Sequence, residues 1–235
     1  MAQKRVSEQQ LVWFTYNNKS NLGKGLELET DIQERFFSSP LSQHQFVFRT
    51  MLTTKLEKSW KGSLGICYFL QSPQNPNSKV NNLAVPEIRP HVEFKNKQKF
   101  RTLDFNHRYR FEVRFRHKTN SNRTELENGY EFTNYRFRYQ IRAVWPFLKK
   151  DSNDMLLCLV VADEIMFNMG SKIVNNVFDQ NRIYFGLGSQ ITESNFIEVG
   201  YMNWFQQQAS GVDFLDRDIL RFTLTQKFDF SRKTD

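Results

Sequence analysis

The chain has 235 residues and a formal net charge of +8 at pH 7. Its mean hydropathy of −0.62 and its longest apolar run, residues 155–162, exclude membrane-spanning helices, which need about 20 apolar residues. Strands that alternate apolar and polar residues are not excluded, because alternation averages the hydropathy signal away. We interpret residues 1–235 as one domain, with 1–24 as an N-terminal segment or first strand and 231–235 as a short tail.

Eleven strand-like segments follow one another along the chain, and none has the 3.6-residue period of an amphipathic helix. They are predicted at residues 9–16, 25–37, 45–56, 60–70, 85–94, 102–117, 130–147, 155–168, 179–190, 195–206 and 218–230. Single-chain bacterial barrels have even strand numbers. The first segment is therefore supernumerary, or a twelfth strand escapes detection.

The two longest segments lie in the middle of the chain and alternate most regularly. Over residues 103–116 the odd positions are apolar or aromatic, apart from His107, and the even positions are polar; residues 131–147 alternate in the same way. A period of two gives a strand one apolar and one polar face. Both segments exceed the roughly 9–11 residues that a tilted strand needs to cross a membrane.

This pattern predicts an all-β fold, an antiparallel up-and-down transmembrane β-barrel of about 10–12 strands. The first and last strands would pair to close it, with the apolar face toward lipid and the polar face inside. The alternative is a soluble β-sandwich or lipocalin-like barrel with its apolar face inside.

The connections between the segments alternate in length. Short ones are predicted at residues 57–59, 95–99, 149–154 and 191–194, and longer ones at 71–84, 118–129, 169–178 and 207–217, with 38–44 as a fifth. Short turns at one end and long loops at the other are typical of outer-membrane barrels. We therefore expect the outer membrane of a Gram-negative bacterium, with a leader removed before Met1. The other possibility is a cytosolic protein without a leader.

The polar phase of the strands carries the charged residues that we predict to line the interior. The candidate anion-binding residues are Arg89, Arg108, Arg110, Arg114, Arg116, Arg136, Arg138, Arg142 and Arg182, and Arg35, Arg49, Arg221 and Lys227 share their phase. The candidate acidic partners are Glu27, Glu29, Glu87, Glu93, Glu112, Glu164 and Glu198. These residues predict either a porin-like, narrow, anion-preferring channel or a barrel plugged by Arg–carboxylate pairs.

A lipid-modifying enzyme is a further hypothesis, with His91 or His107 as the acid–base group. His91 shares its face with Glu87 and Glu93, which is also a possible metal-binding arrangement. No spacing singles out a Ser or Asp partner, so we expect no catalytic residue, metal or cofactor.

The expected partners are outer-membrane lipid, the barrel assembly machinery, small anionic solutes and other outer-membrane proteins. Nucleic acid is not expected, because the basic and aromatic residues occupy opposite faces. Cys67 and Cys158 are interpreted as small buried residues, and their pairing is left open. Four glycines share the polar phase, where large neighbours such as Tyr184 would lie over them: Gly65, Gly186, Gly188 and Gly200.

An ordered set of segments resembles the bacterial domain-of-unknown-function family DUF2490, common in Bacteroidota. The segments are residues 87–90 (EIRP), 107–115 (HRYRFEVRF), 136–139 (RFRY), 163–164 (DE), 178–184 (FDQNRIY) and 198–202 (EVGYM). The resemblance covers nearly the whole chain. It implies an outer-membrane β-barrel and assigns no activity and no catalytic residue.

Overall fold

The computed structural model describes residues 3–77, 82–149 and 155–231, and these residues form eleven strands and no helix. No helix long and apolar enough to cross a membrane is found among them. The strands are β1 (Arg5–Gly23), β2 (Leu26–Ser38), β3 (Leu41–Lys55), β4 (Trp60–Gln71), β5 (Val85–Phe100), β6 (Leu103–Thr119), β7 (Leu126–Lys149), β8 (Met155–Met169), β9 (Phe178–Gln190), β10 (Asn195–Gln207) and β11 (Asp213–Asp229).

The strands pair in chain order and close into one barrel through β1 and β11. The prediction of an all-β barrel of about 10–12 strands, closed by its first and last strands, is confirmed. Neighbours in the chain pair antiparallel, whereas β1 and β11 pair parallel, from Arg5–Asp213 to Asn21–Asp229. The seam is parallel because an odd number of alternating strands leaves the first and last pointing the same way. Residues 9–16 are not supernumerary, since they form the centre of β1.

The connections separate into two ends of the barrel. The short-turn end carries residues 24–25, 56–59, 101–102, 150–154 and 191–194. The long-loop end carries residues 39–40, 72–84, 120–125, 170–177 and 208–212. Two expectations are wrong in detail: 38–44 is not a long loop, because only Ser39 and Pro40 join β2 to β3, and 95–99 belong to β5. Within these connections, 78–81 and 150–154 lie outside the described residues, as do 232–235 of the predicted tail.

Alternate side chains point to opposite sides of the barrel wall, and the apolar side is outside. In β4, Leu64 and Ile66 are 68% and 47% exposed, whereas Cys67 and Phe69, at two inward positions of the same strand, are buried. In β6 and β7 the buried residues are mainly charged and include Arg110 and Glu112. On β6 and β7 the apolar face therefore lies outside and the polar face inside, as the alternation predicts.

The interior itself has two unlike halves. Around β1, β2 and β8–β11 the buried side chains form an apolar cluster that includes Leu11, Trp13, Trp204 and Ile219. On the opposite side, β5–β8 supply buried arginines and carboxylates. Cys158 belongs to the apolar cluster and Cys67 to a smaller one, and both cysteines are unbonded thiols.

Candidate functional site

A cavity of about 560 Å³ runs through the interior from the short-turn end. At that end it is lined by Ser59, Lys61 and Lys97, and the two lysine side chains are 38% and 60% exposed. Trp13 and Trp204 line it deeper in the barrel. The cavity therefore communicates with solvent at the short-turn end.

The long-loop end is closed by buried side chains. His44 lies between Phe37 and Trp204, with ring centroids 4.7 and 5.8 Å from its own. His44, Phe37 and Leu11 are at most 2% exposed and none of them lines the cavity. Phe37 and His44 flank the connection 39–40 at the long-loop end.

A connecting loop reaches into this closure. Gln74, in the connection 72–84, accepts a hydrogen bond from Gln9 through its backbone oxygen at 2.7 Å and one from Arg217 through its side chain. Arg217 also donates to Gln9 and Gln206, each at 2.7 Å. In these contacts the Arg217 guanidinium donates to neutral acceptors. It lies over the aromatic ring of Trp204, 4.1 Å from the ring centroid.

The middle of the barrel is filled by ion pairs between β6, β7 and β8. Arg138 donates to Glu112 at 2.9 Å and to both oxygens of Glu164, at 2.8 and 3.0 Å. Glu164 also accepts from Arg108 at 2.6 Å. These side chains meet because each lies on the inward phase of its strand. Such charge-assisted pairs satisfy groups whose burial alone would cost several kcal/mol.

Further pairs extend this network toward both ends. Glu93 is contacted by Arg110 Nε at 2.6 Å and by Lys95 at 3.1 Å. Toward the long-loop end, Glu87 accepts from Arg89 at 2.8 Å and from Arg114. Other pairs of the interior include Lys61–Glu27 at 3.0 Å, Lys95–Glu29 at 2.8 Å, Arg49–Asp31 at 3.3 Å, Arg136–Asp179 at 3.1 Å and Arg142 with Glu198.

Most of the predicted arginines are brought together in the cavity wall. Eight line it: Arg89, Arg108, Arg110, Arg114, Arg136, Arg138, Arg142 and Arg182. Arg116 does not; it lies near the long-loop end of β6 and lines a separate pocket with His117, Lys118 and Arg123. Among the predicted acids, Glu27, Glu29, Glu93, Glu164 and Glu198 line the cavity, while Glu87 and Glu112 are buried outside its lining.

The cavity wall carries a surplus of positive charge. Of the described residues, fifteen Lys or Arg side chains line the cavity against six Asp or Glu. A low-dielectric wall lined mainly by one sign of charge concentrates ions of the other sign. The arrangement is therefore suited to hold anions.

Aromatic rings share this wall with guanidinium groups. Arg35 lies 3.8 Å from the ring centroid of Trp13, and Arg182 lies 4.5 Å from that of Trp204. The two tryptophan rings meet edge to face at 5.7 Å. These cation–π contacts fix the guanidinium planes without neutralising their charge.

The sequence prediction did not identify Trp13 and Trp204 as interior residues. In β1, Leu11, Val12, Trp13 and Phe14 are all apolar. Four consecutive apolar residues do not show which side of the strand faces inward. The structure decides this, because Trp13 is buried and Phe14 is exposed.

The two candidate histidines contact a backbone oxygen and a tyrosine hydroxyl. His91 Nδ1 lies 3.2 Å from the backbone oxygen of Arg89, and His107 Nδ1 lies 2.9 Å from the Tyr139 hydroxyl. Within the described part of the chain, neither ring hydrogen-bonds a Ser, Asp or Glu. In the same residues no three His, Cys, Asp or Glu side chains are arranged to hold a metal ion.

Two glycines make room for a buried tyrosine. A Cβ atom at Gly186 or Gly200 would overlap the Tyr184 hydroxyl, so these glycines allow the ring to lie flat against the wall. The prediction that Tyr184 covers glycines of the polar phase is confirmed. Tyr184 also lines the cavity, beside Arg221 at 5.7 Å from its ring centroid.

Comparison with protein families supplies the chain's relationship. The model of the family described as Protein of unknown function (DUF2490) matches residues 10–215. The chain belongs to this family. The match runs from β1 into the first residues of β11, so the DUF2490 region contains nearly the whole barrel and every strand of the charged network. No curated protein matches the chain.

Proposed function

We propose that this DUF2490 barrel resides in the bacterial outer membrane and holds small anionic solutes in a cavity open at its short-turn end. The observation that carries the membrane assignment is the reversed distribution of polarity. Exposed apolar side chains continue around the exterior of successive strands, among them Leu52 on β3, Leu64 on β4 and Val92 on β5. An apolar exterior around a charged interior is what a lipid environment requires of a barrel.

Exterior aromatic rings support the same proposal. Trp60, at the start of β4, stacks on Tyr109 at 6.0 Å, and Tyr109 contacts Tyr139 at 5.0 Å. Trp145 and Phe147 form another exposed pair near the short-turn end of β7. Trp and Tyr are enriched where a membrane meets water, because their rings combine an apolar body with a polar group.

Membrane insertion is tested by placing a charge on the exterior at two depths. Leu64 lies in the middle of β4 among apolar neighbours, whereas Leu41, 78% exposed, begins β3 beside the turn at the long-loop end. An arginine at the middle of a membrane-spanning strand costs about 2–4 kcal/mol, and one near the interface about 0–1.

We expect Leu64→Arg to reduce folding into lipid vesicles strongly and Leu41→Arg to leave it near the wild-type level. The measurement is the fraction of folded, heat-modifiable protein in vesicles. Equal behaviour of the two variants, together with a folded, monodisperse wild-type protein in detergent-free buffer, would contradict the membrane assignment.

The side of the membrane follows from the loop lengths. Outer-membrane barrels keep short turns on the periplasmic side and longer loops outside. By this rule the cavity of the DUF2490 barrel opens to the periplasm, and the closure around His44, Phe37 and Gln74 faces outward.

The closed end favours binding over passage. Because buried side chains occupy the long-loop end and most interior arginines are paired with carboxylates, we expect no conductance steps in a planar bilayer. Binding of anionic solutes by the detergent-solubilised protein is then the activity to measure. A silent bilayer without such binding would leave a barrel with a structural or assembly role.

A narrow anion channel is the second candidate, favoured by the fifteen basic against six acidic residues of the described cavity lining. Selective passage of anions follows from a ladder of one charge sign. Anion-selective steps that weaken in Arg108→Ala and Arg138→Ala would establish this channel, with the reversal potential in a salt gradient as the measure of selectivity.

A further inference from the structure

We infer that Arg35, Arg182 and Arg221 form a binding site for one oxyanion group, a phosphate or a carboxylate, of a small solute in the cavity. This inference rests on the proposed anion-binding function and names the residues that carry it. All three arginines line the cavity, as do Trp13 and Trp204. The first of four observations separates these three guanidinium groups from the other arginines of the wall, and the other three describe their surroundings.

The first observation is the weak pairing of these arginines with carboxylates. Among the described residues, Arg35 hydrogen-bonds only amide oxygens, those of Gln33 and Gln45. Arg182 lies 3.8 Å from Glu164 and donates to Gln180 at 3.2 Å. In the described ranges Arg221 forms no hydrogen bond and no ion pair. The three charges are therefore little compensated, unlike those of Arg110, Arg138 or Arg142.

The second observation concerns the carboxylates that lie nearest. Glu198 is held by Arg142, and Asp31 by Arg49 at 3.3 Å and by Gln33. Glu164 accepts from Arg138 and Arg108 (see above). Because each acid already binds another cation, its charge is largely compensated before it acts on Arg221 or Arg35.

The third observation is a set of buried donors without a protein acceptor. Nε of Arg182, Nε of Arg221 and Nε of Arg49 have none, and neither do the indole Nε1 atoms of Trp13 and Trp204. All five residues line the cavity. Unsatisfied buried donors are rare in folded proteins and are costly. A phosphate or carboxylate bound in this cavity accepts several hydrogen bonds at once and can satisfy such donors.

The fourth observation is mutual repulsion. Arg182, Arg49 and Arg221 lie within electrostatic range of Arg35, with the Asp31 carboxylate as the one opposite charge named beside them. Like charges held together in a partly desolvated wall repel one another. A bound oxyanion would lower the free energy of the whole group, so affinity would come from charge that the fold has already brought together.

Three hexoses that differ in charge provide the test: glucose 6-phosphate, glucuronate and glucose. Their binding is measured by titration calorimetry with the purified full-length protein in detergent. We expect binding of at least one charged sugar and none of glucose. Comparison of the two charged sugars tells whether the site prefers phosphate or carboxylate.

The variants are Arg221→Gln and Arg182→Gln, each of which removes one charge from the site. Each variant removes a charged donor that hydrogen-bonds the anion, so we expect the affinity to fall about tenfold or more. The matched control is Lys172→Gln, which removes one charge outside the cavity lining, where the exposed Lys172 is paired with Glu131 at 3.6 Å. We expect the control to bind within about threefold of the wild type, since its charge acts only through screened, long-range attraction.

The outcomes separate the two proposals. If the wild type binds a charged sugar but Arg221→Gln and Arg182→Gln bind it equally well, the cavity holds anions elsewhere and this site is refuted. If the wild type binds neither charged sugar, the anion-binding function itself fails. A loss in Lys172→Gln as large as in the site variants would also refute the site. Tryptophan fluorescence of each variant verifies that it is folded.

Discussion

Replacing Arg138 with methionine is expected to destabilise the barrel strongly, because this guanidinium joins two buried carboxylates. It contacts Glu112 at 2.9 Å and Glu164 at 2.8 Å, and the three side chains are 8%, 1% and 5% exposed in the same order. Methionine fills a similar volume without charge. The variant therefore isolates the loss of the ion pairs from the creation of a large cavity.

The expected loss in the free energy of unfolding depends on the ion pairs that each carboxylate retains in the variant. Glu164 retains Arg108 at 2.6 Å, whereas the remaining ion-pair contact of Glu112 is with Arg110, at 3.7 Å. Removing one partner of a buried pair costs about 3–5 kcal/mol. Since only Glu112 is left poorly paired, we expect the lower end, about 3 kcal/mol, or roughly two powers of ten in the unfolding equilibrium constant.

The assay is urea unfolding of the purified protein in detergent or lipid vesicles, followed by tryptophan fluorescence. The buried Trp13 and Trp204 report on the interior. The control is Arg5→Ala, which breaks the ion pair between Arg5 and Asp213. These side chains are 72% and 37% exposed, so we expect no measurable change in the free energy of unfolding. The double variant Arg138→Met/Glu112→Gln should recover part of the loss, because it leaves no unpaired charge at Glu112.

The reasoning is refuted if Arg138→Met unfolds at the same urea concentration as Arg5→Ala. The interior carboxylates would then be hydrated well enough to lose a partner at little cost. A hydrated interior would in turn favour the channel over the closed barrel, which links this stability measurement to the proposed function.

Three further outcomes test other parts of the structure. Gly186→Ala should destabilise the barrel, because a Cβ atom at Gly186 would overlap the Tyr184 side chain. Adding Tyr184→Leu to the same chain should remove this overlap and restore part of the stability. Gly200→Ala should not be relieved in this way, since its Cβ would also overlap backbone atoms; urea midpoints of the single and double variants decide both points. Cys158, 0% exposed, should react with a water-soluble thiol reagent only after unfolding, and reaction in the folded state would show that the interior opens. Arg116→Gln should leave the binding of glucose 6-phosphate unchanged, because Arg116 lies outside the cavity lining; a tenfold loss in calorimetry would contradict that placement.

Strand phase was predictable wherever the sequence alternates strictly. Arg108, Arg110 and Glu112 share a phase, and Tyr109 and Phe111 share the other, so local pattern alone separates the two faces of β6. The place of residues 9–16 in the barrel was not predictable, because this segment does not alternate strictly. Its apolar residues occupy both phases, and its place in the barrel is decided by pairing with β11, more than 200 residues away in the chain.

The candidate site was predictable as a set of charges but not as a set of partners. The prediction contained Arg182 among the anion-binding residues, and it placed Arg35 and Arg221 only in the wider basic set. Whether an arginine has a close carboxylate partner depends on contacts such as Arg108–Glu164 and Arg142–Glu198. Each of these contacts joins residues 56 positions apart in the chain. No local pattern carries that information.

By itself the sequence determined the strand content, the assignment of apolar and polar faces, and the approximate number of strands, because each rests on a two-residue period within a single segment. The tertiary structure decided the parallel seam, the closed long-loop end and the three weakly compensated arginines. These depend on register around the closed barrel. Closure brings Trp13 of the first strand within 5.7 Å of Trp204 of the tenth, and it selects which charge on each inward face meets which carboxylate.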